Sequence, residues 1–93
     1  MSNIQILISD LEAQKITISE LQQQLSSCMY SALMEIDYRG NPNDAEGLIK
    51  TLDNELELVI YTLNPESQNS AAMKVLERAQ SIIKKGFVYE PRS

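Results

Sequence analysis

Histidine is missing from this 93-residue chain. Its absence removes Ser-His and Cys-His nucleophilic pairs, the usual nitrogen ligand of zinc and the commonest general base. Tryptophan is missing too, and aromatic residues are only 5% of the chain, so a core has to come from Leu, Ile, Val, Met and Ala, a composition that suits helix bundles. The single cysteine, Cys28, cannot close an intrachain disulfide and marks no oxidising compartment. Gly40, Gly47 and Gly86 each stand alone, which leaves no phosphate-cradling loop of Walker or dinucleotide spacing. Basic residues are short, 8 against 13 acidic, for a net charge of −5 and a pI near 4.6. That is the wrong sign for coating phosphates or anionic lipid, so direct nucleic-acid or membrane binding is not expected. No apolar run approaches the roughly 20 residues of a membrane span. The start Met1-Ser2-Asn3-Ile4-Gln5 lacks a basic flank, and Asp10 and Glu12 interrupt its apolar residues, so the chain reads as soluble and cytoplasmic.

What is present is helical periodicity. Ile4, Leu7, Leu11, Ile18, Leu21, Leu25, Cys28 and Ala32 keep one phase over the first third of the chain. Ala45, Ile49, Leu52, Leu56, Val59 and Leu63 follow at alternating steps of four and three, which holds them on one side of a helix. A third face is Ala72, Val75, Leu76, Ala79, Ile82 and Ile83, with Lys84 and Lys85 at the negative end of the helix dipole. The expected fold is all-α: a small bundle of three to four amphipathic helices, with an antiparallel hairpin of Ser19–Tyr38 and Asp44–Leu63 and a C-terminal helix to Lys85. Residues 1–87 form one helical domain and 88–93 a tail.

Punctuation divides the elements. Arg39-Gly40-Asn41-Pro42-Asn43-Asp44 combines a glycine suited to a left-handed C-cap with a proline and capping side chains, and Asn43 with Glu46 fits a capping box. Asn64-Pro65 either ends the middle helix or starts the last one. Gly86 stops the last helix, and Phe87 after it is placed to fold back on the final turn. One stretch is open. Thr17…Glu20 and Ser19…Gln22 both fit a capping box, which favours a break near Lys15, whereas the heptad phase of Ile4, Leu11, Ile18 and Leu25 favours one long helix.

Reactive constellations are few. Asp37 to Asn43 resembles the opening of a calcium loop but puts Pro42 where the EF-hand turn needs glycine, so no metal is expected, and no cofactor. Glu46, Asp53 and Glu57 share a side of the middle helix and read as a solvated face. Cys28, on the apolar stripe, reads as a small buried hydrophobe. From Asn41 to Pro65 five acids face only Lys50, a net −4, while Glu66 onward carries +2. Lys74, Arg78 and Lys85 are therefore expected to rim the packing of the last helix on the middle one. Tyr38 and Tyr89 are candidate interface anchors.

The apolar surface exceeds what a small bundle consumes. Leu58 and Ile60 lie off the seam, and with Leu11, Ile18, Leu25, Met29 and Tyr61 they are the candidate interface for a protein partner or a second copy. The expected function is a non-enzymatic helical protein-protein interaction module, of the adaptor, small-regulator or chaperone type. The alternative is an acidic inhibitor or nucleic-acid mimic that sets Asp53 and Glu57 in a basic site. From about Leu21 to Leu63 the layout of helix, Gly/Asn turn and second amphipathic helix resembles small bacterial secretion chaperones and small biofilm-type regulators in arrangement, and no functional residue is carried over.

Overall fold

Backbone chemistry between Ala13 and Thr17 cuts the first heptad stripe in two. In a computed structural model, which describes residues 3–36 and 38–87, α1 (Asn3–Glu12) ends where Gln14 N–H donates to the Leu11 carbonyl at 3.1 Å and Lys15 N–H to the Asp10 carbonyl at 2.8 Å. This pair of bonds closes a helix through one left-handed residue, normally glycine, and here Gln14 holds that place at φ 57°. Thr17 then opens α2 (Ile18–Glu35). Its hydroxyl accepts from Glu20 N–H at 3.1 Å, while the Glu20 carboxylate accepts from Thr17 N–H at 3.2 Å. The reciprocal box resolves the open stretch in favour of four helices. The steady phase was no evidence of continuity, because Leu11 and Ile18 are seven residues apart whether or not helix joins them.

Glycine at position 14 removes a Cβ from the left-handed region. We expect Gln14→Gly to stabilise the fold by about 0.5–1 kcal/mol, raising the thermal midpoint by a few degrees. Circular dichroism melts check this, and a lowered midpoint would show that the Gln14 side chain contributes more than its backbone costs.

The two later starts share one device. Asn41 Oδ1 accepts from Asn43 N–H at 2.9 Å, and Asn64 Oδ1 accepts from Ser67 N–H at 3.2 Å, each followed by proline as the first helical residue. Hence α3 runs Pro42–Thr62 and α4 Pro65–Lys84. The expected capping box at Asn43 and Glu46 is corrected: Asn41 is the cap, and proline, which needs no N–H partner, begins α3 two residues earlier than Asp44. Gly40 has no positive φ either. It is needed for room, since a Cβ there would lie 2.5 Å from the Tyr38 hydroxyl oxygen, and that hydroxyl donates to the Asn41 carbonyl at 3.0 Å. Gly86 does take the left-handed role, at φ 74°. Gly86 N–H donates to the Ile83 carbonyl and Phe87 N–H to the Ile82 carbonyl, both at 3.0 Å, which turns the Phe87 ring fully into the core.

The helices alternate in direction. Gln22 Nε2 donates to the Asp53 carbonyl and Ser26 Oγ to the Asp53 carboxylate, both at 3.3 Å, tying α2 to α3. Gln80 donates to Gln5 at 3.1 Å, tying α4 to α1. α2 and α4 also pack on each other, and the backbones of α1 and α3 are not in close approach. Ile4, Leu7 and Leu11 of α1 thus join Leu21, Leu25 and Met29 of α2, Ile49, Leu52 and Leu56 of α3, and Leu76 of α4 in one core. Ala45, Ala72 and Ala79 are also buried there. Among the described residues no polar or charged side chain is buried, so the fold is held by apolar packing with polar ties at its rim. The structure is a small all-α helical bundle. Residues 88–93, expected as a tail, lie outside the described residues.

Candidate functional site

The core claims much of the expected interface. Leu11, Ile18, Leu25 and Met29 are buried inside the chain's own bundle and present no surface to a partner. Their stripe faces α3 and α4, and the break at Ala13–Thr17 folds both halves of it inward. Ile60 is half-buried and packs against the same core. Leu58 and Tyr61 point outward from α3, 59% and 78% exposed. Met34 is 85% exposed, and Tyr30 one helical turn before it is also exposed.

Some charged side chains find partners within the bundle. Arg78 Nη1 donates to Glu55 Oε1 at 2.7 Å, and Nη2 stands 2.7 Å from Oε2, which solvent does not reach. This ion pair ties α4 to α3, as expected for Arg78. Lys74 does not share that role: it lines a depression of about 420 Å³ with Leu11, Gln14 and Met73 at the end of α1. Lys85 lies at the opposite end of α4, beside a wider depression of 780 Å³ bordered by Ile36, Tyr38 and Gly40. Asp53 accepts from Ser26, and Glu46 sits 3.2 Å from Lys50. Burial pushes the Cys28 thiol above its ordinary pKa, which keeps it protonated and a poor nucleophile at neutral pH. Among the described residues no three His, Cys, Asp or Glu side chains gather as metal ligands would.

The most organised exposed feature is the back of α3. Gly47, Thr51, Asn54, Leu58 and Tyr61 are all exposed and recur at steps of four and three, so they form a stripe opposite the core stripe of Ala45, Ile49, Leu52, Leu56 and Val59. All six charged residues of α3, Asp44, Glu46, Lys50, Asp53, Glu55 and Glu57, fall off it. Its threonine hydroxyls are occupied: Thr51 Oγ1 donates to the Gly47 carbonyl at 2.8 Å, and Thr62 Oγ1, at the stripe's edge, to the Leu58 carbonyl. Sequence reasoning found Leu58 and Tyr61 but missed Gly47, Thr51 and Asn54. The signal was there, as a second uncharged heptad on a helix otherwise dense in charge.

The chain matches no known protein-family description, no curated protein and no solved structure. Among the described residues no helix is long and apolar enough to cross a membrane.

Proposed function

We propose that this protein is a non-enzymatic helical interaction module, an adaptor, small regulator or chaperone, that packs the back of α3 against a helix of itself or of a partner protein. The observation that carries the reading is the uncharged, exposed stripe through Gly47, Asn54, Leu58 and Tyr61 on a helix whose six charged residues all lie off it. Water gains when Leu58 and Tyr61 are covered, and tyrosine suits such a place because its ring is apolar and its tip is not. A cytoplasmic setting belongs to the same proposal, since a lone, half-buried thiol needs no oxidising compartment. The acidic-mimic reading is weaker, because Glu46, Asp53 and Glu55 already hold partners in the chain itself.

A photo-crosslinking residue replacing Leu58 or Tyr61 in living cells should give a discrete protein adduct. The same probe at Glu12 or Ser81, exposed on other helices, should give none. Absence of any adduct from the α3 positions would sink the reading.

A further inference from the structure

The stripe on α3 is complementary to itself in one direction only, and we propose that it joins two copies of this chain back to back, α3 against α3, antiparallel about a two-fold axis at Asn54. This rests on the reading that the stripe takes a helix, and it names that helix as a second α3.

Size complementarity is the first argument. Gly47 and Tyr61 each lie seven residues from Asn54, so antiparallel pairing about Asn54 sets Gly47 against the partner's Tyr61. A Cβ built on Gly47 meets nothing within 4 Å, and the Tyr61 ring is 78% exposed, so an open backbone strip faces a free ring, twice by symmetry. Parallel pairing sets glycine on glycine and tyrosine on tyrosine, a gap and a collision. Charge is the second argument. Lys50 and Glu57 flank the stripe on one edge, just before Thr51 and Leu58, and the antiparallel register places Lys50 beside the partner's Glu57, again twice. Parallel pairing instead offers Lys50 the partner's Glu55, whose carboxylate is already clamped by Arg78. The contact of Lys50 with Glu46 is between two largely exposed groups and leaves Lys50 able to serve a second carboxylate. Asn54 completes the seam, because an amide is both donor and acceptor and can pair with its own copy on the axis. A seam of about four helical turns is small for an interface, which sets the expected dissociation constant in the micromolar range.

Sedimentation equilibrium tests the proposal on the full chain, with circular dichroism to verify folding. The wild type should dimerise. Lys50→Glu and Glu57→Lys should each weaken the dimer on the order of tenfold at low salt, two pairs being turned from attraction to repulsion. The double reversal should restore it. In a Cys28→Ala background, a mixture of Gly47→Cys and Tyr61→Cys chains should oxidise to the mixed disulfide in preference to either homodisulfide. A monomer at 100 µM (roughly a hundred times a micromolar constant), single reversals without effect, a double reversal that does not restore, or dominant homodisulfides each overturn the dimer. The crosslinking experiment then separates two failures: an adduct to a different protein leaves the module reading standing, and no adduct removes both.

Discussion

Replacing Phe87 by alanine is expected to lower the thermal midpoint by roughly 15–30 °C, a loss of about 3–5 kcal/mol. Phe87 is the one phenylalanine in the chain and is 0% exposed. It reaches the core after the last helix has ended, carried there by the left-handed turn at Gly86 and by its own N–H bond to the Ile82 carbonyl. A domain of this length has on the order of 5–14 kcal/mol in total, so the ring accounts for a large share of it. Truncation leaves a cavity at the end of the bundle that the aliphatic neighbours fill only in part. Phe87 also sits at φ 61°, a conformation that costs a residue with a Cβ about 1–2 kcal/mol. Glycine at the same position loses the ring but relieves the backbone, and is therefore expected to be the more stable of the two truncations. Thermal melts of both variants measure the terms apart. A Phe87→Ala midpoint within a few degrees of wild type would mean that the ring is not a core element.

The helices were legible in the sequence because periodicity and capping pointed the same way. The expected stripes are buried through Val59 on α3 and Ala79 on α4, with Ile82 and Ile83 half-buried and Leu63 exposed as the C-cap of α3, and Phe87 folds back on α4 as the Gly86-Phe87 pair implies. Three points were not legible, each for a physical reason. The heptad phase across Lys15 matched by loop length, so only the Thr17 and Glu20 box distinguished a bend from a continuous helix. Asn41-Pro42 carries the same cap and first-turn proline as Asn64-Pro65, but a proline after a glycine turn reads as a terminator when the direction of the helix beyond it is unknown. At Gly40 a Cβ would meet the tip of the Tyr38 ring, a contact that neither helix periodicity nor capping patterns encode. The candidate interface was legible only in part. An apolar stripe does not say whether it faces its own bundle or a partner, and the four residues assigned from the first third of the chain turned inward. Of the two residues read as off the seam, Leu58 is exposed, whereas Ile60 lies close enough to the core stripe on the helix wheel to pack against it; Tyr61, included beside them, is exposed.

Leu25 and Leu58 should therefore respond oppositely to the same substitution. Leu25→Ala removes a side chain that is buried between helices, at an expected cost of about 2–5 kcal/mol, and should move the urea midpoint strongly with little change in slope. Leu58→Ala, at an exposed position of α3, should leave the monomer's stability within about 0.5 kcal/mol, because water already reaches most of that side chain. Its effect belongs to association: the crosslink and the dimer weaken, and salt does not rescue them, since the lost term is apolar burial and not charge. Urea titrations at concentrations well below the dimer constant isolate the fold, and sedimentation at high concentration reads the surface. If Leu25→Ala left the midpoint unchanged and abolished association instead, the bundle would have to open to expose its first stripe, and the binding surface would be the core itself. If Leu58→Ala lowered the monomer's stability by several kcal/mol, the back of α3 would be part of the fold and no free stripe would remain for a partner.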